Sequence, residues 1–534
     1  MKRRLYEHIV FLTSLNPLLP VKDSDSEGQS AHLPEDTAEC HFRKFVNALS
    51  LFCDTEPGGR TVTTMTVLNN NPEYIVASNE RSKAELVKLK EFVEKIVGLV
   101  DSASGRAGCV GSSTILRAVA AFCKPRLKFY IRKVLENIEK CLDMDTQSLL
   151  PSAHKDKDPK ARPESQALLE LASLATRQDN KTHCGPLGFI LPATCQRLID
   201  SVYDIFCSRG DLAKVLTEKT SGQRQKPSPG SPWGELRHYL GRLKTFRSAA
   251  ETLIAAHRKW PELFHDFRVE CLPSHAKGRT PFPSGARDID KMIGSMVHSD
   301  AEKMWVMEKV EDIDATSPGI SLANNIRALS TEHSFVPTVH AELIILDWLQ
   351  RTGNTAPIRF FEQFRYIGAS KPTCRLCHFY FLQHESGVKV RPTHHNIYHQ
   401  WKLPDILEQD SPQRVKRRAE VVLKIIQHLR EDIKLALGDR AAMKRPHDSL
   451  TETSSITHMQ KSTASVSQGT ASEDDVQWPE EEGDSQSASK ETCEGFIPAS
   501  APSPEEAQEA KDILFDDDGE DEDEDEDGGA SINL

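Results

Sequence analysis

Two short motifs in the second half of the chain supply the residue types of a catalytic zinc centre. They are His340-Ala341-Glu342 and, 34 residues further on, Cys374-Arg375-Leu376-Cys377. One imidazole and two thiolates are ligands that zinc prefers, and three protein ligands leave a fourth position for water, whose pKa then falls to about 7. Glu342 need not bind the metal and could carry a proton from that water to a leaving group. The motifs therefore predict a zinc site that activates water.

Both motifs are predicted to lie at the start of helices. The apolar run after His340 predicts a buried helix that ends near Gly353. Residues 358–367, rich in aromatic and β-branched side chains, predict a strand in at least the second half of that segment. The next helix would carry Cys374 and Cys377 on one face of its first turn. The positive end of a helix dipole and its free N–H groups favour thiolate over thiol.

The same cysteine pair could serve a different kind of zinc site. His394, His395 and His399 follow the pair and could close a structural Cys2His2 site. The spacer of 16 residues is longer than the spacer of about 12 that is usual in a nucleic-acid-binding finger. This arrangement also leaves His340 and Glu342 without a role. An open catalytic site, a closed structural site, the absence of metal and a zinc-binding domain without turnover all stay open from the motifs alone.

The stretch 336–404 resembles the zinc-dependent nucleoside and nucleic-acid deaminase superfamily, whose pattern is H-x-E followed by P-C-x-x-C. It more narrowly resembles a mostly fungal deaminase-like group thought to derive from bacterial toxin domains. The narrower likeness rests on the sequence YIGASK at 366–371 and on RPTH at 391–394, with aromatic residues after it. One departure is that Thr373, rather than proline, precedes the first cysteine.

The resemblance implies a specific set of roles. Zn2+ would be bound by His340, Cys374 and Cys377, and Glu342 would be the catalytic residue. The substrate would be a nucleobase of a nucleotide or nucleic acid, and the reaction would be hydrolysis at its exocyclic amine.

Side chains after the cysteine helix are candidates for holding a substrate. Residues 388–391 predict a strand parallel to the strand before the cysteines. His394, His395, Tyr398 and Trp401 leave the carboxyl end of this strand, the side on which open α/β sheets bind ligands. They are therefore predicted to hold a base or ribose by stacking and hydrogen bonds. The alternative is that Tyr398 and Trp401 only pack under a loop.

The predicted fold class is α+β or α/β. It consists of a deaminase-like three-layer sheet domain, an extensive helical region that is N-terminal to this domain or inserted in it, and a disordered acidic tail. The predicted segments are N-terminal helices and a loop (1–60), a β-hairpin (61–78), a mainly helical region (80–330), the zinc domain (331–440) and the tail (441–534). The hairpin belongs either to the deaminase-like sheet or to a separate N-terminal domain.

Helical spacing of apolar residues predicts most of the remaining elements. The predicted helices are 1–15, 41–53, 84–100, 113–142, 165–176, 194–207, 234–256 and 411–437. Segments 150–164, 220–233 and 272–287 are rich in Pro, Gly, Ser and Lys and are predicted to be linkers.

Composition and charge limit the classes of partner that the protein is expected to have. Residues 512–527 hold twelve acidic side chains and no basic ones, and this run accounts for the whole net charge of −12. The rest of the chain is therefore neutral and does not indicate nucleic-acid binding by net charge. The acidic tail is predicted to bind basic proteins. Twelve cysteines without a secretion signal fit an intracellular protein, cytoplasmic or nuclear. No apolar run is long enough to span a bilayer, so no membrane is predicted as a partner.

Two functions from different classes follow. The first is a zinc-dependent hydrolytic deaminase in which Glu342 transfers protons. The second is a helical interaction or scaffold protein whose zinc only stabilises one small domain, or whose deaminase-like domain is inactive.

Overall fold

A computed structural model gives the fold of the protein. The described residues are 2–20, 36–69, 71–104, 108–147, 163–176, 192–207, 231–282, 288–316, 321–331 and 335–442, with the isolated positions 34, 214, 216, 218 and 219. All of them fall in the unit Lys2–Ile456. Within these ranges, no helix has the length and apolar character needed to cross a bilayer. The predicted acidic tail lies, from residue 443 onwards, outside the described residues.

Helices make up most of the described chain. In chain order they are α1 (Lys2–Leu15), α2 (Ala38–Cys53), α3 (Lys83–Ser104), α4 (Gly108–Phe122), α5 (Lys124–Gln147), α6 (Pro163–Thr176), α7 (Pro192–Cys207), α8 (Pro232–Lys259), α9 (Ile289–Met296), α10 (Asp300–Thr316), α11 (Leu322–Thr331), α12 (Ala341–Arg351), α13 (Arg375–Gln383) and α14 (Pro412–Asp439). The predicted helix 113–142 is therefore two helices, because Pro125 lacks the N–H that a helix interior needs and instead occupies the first turn of α5.

A mixed five-stranded sheet supports the candidate site. The strands of the described ranges are β1 (Thr63–Leu68), β2 (Glu73–Ser78), β3 (Arg268–Cys271), β4 (Thr338–Val339), β5 (Tyr366–Ala369), β6 (Lys389–Val390) and β7 (Trp401–Lys402). The sheet has the order β3-β2-β1-β5-β6, and β4 pairs with β7 separately. Strand β1 is antiparallel to β2 and β5, whereas β2–β3 and β5–β6 are parallel. The parallel strand predicted at 388–391 is thus present as β6.

The hairpin β1–β2 lies in the same sheet as the strand before the cysteine motif. Thr64 pairs with Ala369, and the N–H of Thr63 donates to the hydroxyl of Ser370, 307 positions away. Both β1 and β5 are buried along their whole length, which requires that helices cover both faces of the sheet. Of the two alternatives for the hairpin, the structure therefore has the one in which it joins this sheet.

Helices α2 and α12 form the outer layers of this three-layer arrangement. Helix α2 packs on β1 and β5, and helix α12 packs on β1 and β2. A Cβ atom at Gly368 would lie 2.6 Å from Val46 Cγ1 of α2, so only glycine permits this close approach. Helix α8 packs against α2, α3, α4, α5 and α7, and one continuous hydrophobic core runs from the helical region to the sheet.

The strand predicted in at least the second half of residues 358–367 is present only at the end of that segment. Residues Pro357–Arg359 and Phe361–Gln363 form 3-10 turns, and only Tyr366–Ala369 is extended as β5. The aromatic residues that suggested a strand are core contacts instead, because Phe361 stacks on Phe42 of α2 with ring centroids 5.6 Å apart. Strand β3 was missed, since it is short and lies between predicted helical and linker segments.

Candidate metal centre

His340 and Glu342 lie at the start of helix α12. His340 is the N-cap residue, with extended backbone angles (φ −71°, ψ 148°), and Glu342 lies in the first turn. The preceding strand β4 pairs with β7, which fixes where the chain enters the helix. The helix is buried on nearly every side, as its apolar sequence predicts. The imidazole and the carboxylate are thus presented at a helix N-terminus, where the backbone N–H groups have no partner within the helix.

Cys374 and Cys377 lie at the start of helix α13. Cys374 is the N-cap residue, and its Sγ accepts a hydrogen bond from the Cys377 N–H at 3.4 Å. The Thr373 N–H donates to the Pro392 carbonyl at 3.2 Å, so the chain after β6 fixes the turn before the cysteines. Both thiols are buried. The turn therefore keeps a cap geometry with Thr373 at the position where the deaminase pattern has proline.

The imidazole and the two thiols converge. His340 Nδ1 lies 3.4 Å from Cys374 Sγ and 3.5 Å from Cys377 Sγ, and the three donor atoms all lie within 4.8 Å of one another. A tetrahedral ion with Zn–S bonds of about 2.3 Å and Zn–N bonds of about 2.0 Å requires S to N separations of roughly 3.6 Å. The donors therefore fit zinc in type and in spacing.

The alternative of a closed Cys2His2 site does not match this geometry. Among the described residues, no second histidine belongs to the donor group of the two cysteines. His395 Nδ1 accepts a hydrogen bond from Arg375 Nη1 at 2.8 Å, and the ring of His399 packs against Phe335 with centroids 5.0 Å apart. The site thus offers three protein ligands, the number that a catalytic zinc site has.

The two thiols differ in their preference for the charged form. Burial by itself raises the pKa of Cys374, but the hydrogen bond from Cys377 and the charge of His340 outweigh it and hold this pKa well below its usual range. Burial and the neighbouring Cys374 thiolate raise the pKa of Cys377 well above its usual range. The pair therefore holds one negative charge readily, and metal binding must displace the second proton.

Glu342 has the properties of a proton carrier. Its carboxyl is almost fully buried, at 4% exposure, and it is not part of the donor group. Burial raises the pKa of Glu342 to about 7, although the charge of His340 opposes the shift. A carboxyl group with a pKa near neutrality can both accept and release a proton under working conditions.

A cavity of about 380 Å³ opens onto these groups. His340, Glu342 and Cys374 line it, together with His394 and Tyr398. Its volume lies in the range of sites that bind small molecules. Two of the three possible metal donors and the carboxylate of Glu342 are therefore accessible from one cavity.

Two of the four predicted substrate residues line the cavity and two do not. His394 and Tyr398 are in its wall, with ring centroids 5.8 Å apart. His395 instead contacts Arg375. Trp401 is fully buried, and its Nε1–H donates to Cys377 Sγ at 3.2 Å. Trp401 thus contacts a possible metal donor and does not line the cavity, because strand β7 turns its side chain towards Cys377.

Sequence reasoning missed the opposite wall of the cavity, which comes from the hairpin region. Asn79, directly after β2, accepts from the Ala341 N–H at 2.8 Å through Oδ1 and donates to the Gly59 carbonyl at 2.8 Å through Nδ2. Arg60 and Glu80 also line this wall. The only available sequence signal was an asparagine at the end of a predicted strand, a position where polar residues often serve a site.

A second group of three possible metal donors lies in the helical region. It contains Asp101, His257 and His265. His257 Nε2 lies 2.9 Å and His265 Nε2 lies 3.4 Å from Asp101 Oδ1. A hydrogen bond between His257 and the Asp101 carboxylate, with His265 near the same oxygen, explains this geometry without a metal ion, and the His265 side chain is 58% exposed. This group contains no thiol, unlike the first group.

Helices on both faces of a mixed sheet, with H-x-E and C-x-x-C at the starts of two helices, define a deaminase-like domain. Consistent with this class, residues 339–405 match the model of the OTT_1508_deam family, a family of deaminase-like proteins. The match contains both motifs and all four predicted substrate residues, and this segment is therefore a member of a deaminase-like family. Neither the curated proteins nor the solved structures gave a significant match to the chain.

Proposed function

We propose that the protein is a zinc-dependent hydrolytic deaminase that acts on the exocyclic amine of a nucleobase, in a nucleotide or in a nucleic acid. The observation that carries the proposal is the combination of three donor atoms at zinc spacing with a buried carboxylate outside the donor group, beside a cavity that His340, Glu342 and Cys374 line. In this proposal His340, Cys374 and Cys377 hold the metal and Glu342 is the catalytic residue.

The reaction requires proton transfer at two points. Bound zinc supplies a positive charge that activates a water molecule for attack. Glu342 takes a proton as the water oxygen bonds to the ring carbon, and it gives a proton to the exocyclic nitrogen as the carbon–nitrogen bond breaks. One water is consumed, one ammonia leaves and the carbon becomes a carbonyl. Burial raises the pKa of Glu342, which favours its uptake of the proton in the first transfer.

His394 and Tyr398 are proposed to hold the base. The Asn396 N–H donates to His394 Nδ1 at 3.0 Å, so the neutral ring carries its hydrogen on Nε2. Tyr398 contributes an aromatic ring 6.3 Å from that of His340, and a base could stack on it. Base recognition next to the metal ligands would place the exocyclic amine near Glu342.

The variant Glu342→Gln tests this function. It keeps the shape of the side chain and removes its ability to exchange protons. We expect zinc content equal to that of the wild type and at least about a 100-fold loss of ammonia release, the usual contribution of a general acid–base group. The assay uses a panel of nucleosides, nucleotides and single-stranded oligonucleotides, with zinc measured by elemental analysis.

The matched control is Glu408→Gln, the same change at an exposed glutamate three residues after the matched segment. It should release ammonia at the wild-type rate. Equal rates for Glu342→Gln and the wild type would remove the catalytic role. A wild-type protein that binds zinc but releases no ammonia from any substrate of the panel would support the interaction protein with a structural zinc instead.

A further inference from the structure

Arg375 lies between the two cysteines and forms a buried ion pair with a residue outside the family-matched segment. It is the first residue of α13 and is 9% exposed. Its Nε donates to Asp432 Oδ2 at 2.5 Å, and Nη2 donates to Asp432 Oδ1. Asp432 is 8% exposed and belongs to α14, 57 positions further along the chain. Such a two-point contact fixes the orientation of the guanidinium as well as its position.

The remaining contacts of Arg375 reach the wall of the cavity. Its Nη1 donates to His395 Nδ1 at 2.8 Å, and its backbone N–H donates to the Asn396 carbonyl at 3.0 Å. The neighbouring residue His394, whose N–H donates to the Thr373 carbonyl at 3.1 Å, lines the cavity. One guanidinium thus connects α14, the turn that carries the cysteines and the loop that carries His394.

The His395 contact has a defined polarity. A guanidinium is always a donor, so His395 Nδ1 must accept and the neutral ring carries its hydrogen on Nε2. His395 also has a left-handed backbone conformation, with φ +63°, which a non-glycine residue keeps only when its surroundings stabilise it. The contact with Arg375 supplies part of that stabilisation, and Arg375 itself is oriented by Asp432.

We infer that Asp432 is a positioning residue of the metal centre. By holding Arg375, it fixes the directions of the Cys374 and Cys377 thiols and the position of the loop that carries His394. Helix α14 therefore helps to position the candidate metal donors, although the family match ends at residue 405. This inference rests on the proposed metal site, but it does not require that the site turn over a substrate.

An ordinary structural ion pair would predict something different. It would stabilise the fold as a whole, and any apolar replacement of the pair that restored the fold would also restore metal binding. A positioning role instead predicts that metal binding stays impaired in a well-folded variant, because the apolar pair does not orient the first turn of α13. Residues that orient metal ligands typically change metal affinity about 10- to 100-fold when they are replaced.

The experiment measures metal binding by the full chain. The variants are Asp432→Asn, which keeps the shape and removes the charge, Asp432→Glu, which keeps the charge, and the double variant Arg375→Met/Asp432→Leu, which leaves no unpaired charge. Glu431→Gln is the control, an exposed carboxylate on the adjacent residue of α14. Zinc affinity is measured by competition with a chromophoric chelator. The absorption spectrum of the Co2+-loaded protein reports thiolate coordination through its sulfur-to-cobalt charge-transfer band.

We expect Asp432→Asn and the double variant to bind zinc about 10- to 100-fold more weakly and to show an altered cobalt spectrum. Asp432→Glu should recover part of the affinity, and Glu431→Gln should match the wild type. If Asp432→Asn does not fold, the double variant decides. Wild-type affinity and an unchanged cobalt spectrum in a folded double variant would overturn the inference, as would a wild-type protein that binds no zinc.

Ammonia release by the wild type is measured in parallel. Absence of turnover, together with zinc binding that responds to Asp432, would remove the proposed function and leave the inference in place. If the wild type releases ammonia but substitutions of Asp432 leave the zinc affinity unchanged, the proposed function stands and the inference is overturned.

Discussion

Segment 339–405 and the chain around it contribute different things to the candidate site. The segment supplies every donor atom of the metal group, the carboxylate of Glu342 and one wall of the cavity. The surrounding chain supplies the contacts that hold these groups in place, from Asn79 after β2 and from Asp432 in α14. The chemistry is thus encoded locally, whereas the geometry depends on residues far away in the sequence.

Asp54, at the end of α2, is a further residue of the surrounding chain that contacts segment 339–405. Its carboxylate is fully buried, accepts from the hydroxyl groups of Thr61 at 2.7 Å and Ser370 at 3.2 Å, and lies 3.1 Å from Arg126 Nη1 of α5. Removing one member of such a pair would leave an uncompensated buried charge, which is strongly destabilising. The helical region is therefore joined by buried polar contacts to the loop that leads into the cysteines.

The largest effect expected from this comparison is at the cysteines. Cys374→Ser should lose most of its zinc and reduce ammonia release to background, because a serine hydroxyl stays protonated where the thiolate of Cys374 would bind metal. Cys123→Ser is the matched change in the surrounding chain. Burial raises the pKa of Cys123 to about 12, so this thiol is an uncharged core residue. Elemental analysis and the ammonia assay are the measurements.

Cys123→Ser should keep the wild-type zinc content and lose only about 1 kcal/mol of unfolding free energy, as is typical of a small polar change in a core. Equal zinc contents for the two variants would contradict the assignment of the metal donors to segment 339–405. The two cysteines are both buried, so burial alone cannot explain a difference between them.

The metal group could be predicted because its donors lie in two short motifs. Helical periodicity placed His340, Cys374 and Cys377 at helix starts, and these three residues are the ones that the structure brings together. The parallel strand β6 was also predictable, because strand–helix–strand connections favour parallel neighbours.

The supporting contacts could not be predicted from the sequence. The pair Arg375–Asp432 joins two helices whose relative position depends on tertiary packing, and no local pattern marks either residue. His395 and Trp401 were assigned to the cavity because the end of a strand does not specify which way each side chain points. Phe361 suggested a strand because aromatic residues favour both strands and cores, and here the core contact with Phe42 determines its conformation.

Asn79 allows a test of the surrounding chain that leaves the donors intact. Asn79→Ala removes the acceptor for the Ala341 N–H and the donor to the Gly59 carbonyl. Loss of such a helix-start contact should cost about 1 to 2 kcal/mol of unfolding free energy. We expect a roughly 10-fold loss of ammonia release, because small displacements of a catalytic group have effects of this size or larger. Zinc content should stay at the wild-type value.

Asn79→Asp is the informative companion, since it keeps an acceptor for the Ala341 N–H, loses the donor to Gly59 and adds a negative charge at the start of α12, where the helix dipole favours it. It should be more stable than Asn79→Ala. Asn69→Ala, the same truncation at an exposed asparagine of the hairpin turn, should change neither quantity. Loss of zinc from Asn79→Ala would mean that the hairpin helps to hold the metal ligands themselves.

The smallest expected effect concerns His8, far along the chain from the matched segment. His8 in α1 is fully buried, its ring Nδ1–H donates to the Arg4 carbonyl at 2.8 Å, and Arg430 of α14 donates to its Nε2 at 3.2 Å. Burial lowers the pKa of His8 to about 4, and Arg430 adds to the shift while the Arg4 carbonyl opposes it. The folded protein therefore holds His8 neutral between α1 and α14.

Because an unfolded histidine has a pKa near 6.5, the unfolded chain binds the extra proton between about pH 6.5 and pH 4 and the folded chain does not. The unfolding free energy should therefore fall as the pH falls through this window, and His8 should have no effect above it. Between pH 7.5 and pH 5.5 the wild type should lose about 1 kcal/mol more than His8→Asn, as measured by urea unfolding at the two pH values. An equal loss for His8→Asn would show that the contact between α1 and α14 is insensitive to this charge. Zinc content should be the same in both proteins at pH 7.5, because the hydrogen bonds of His8 are with Arg4 and Arg430 rather than with the possible metal donors.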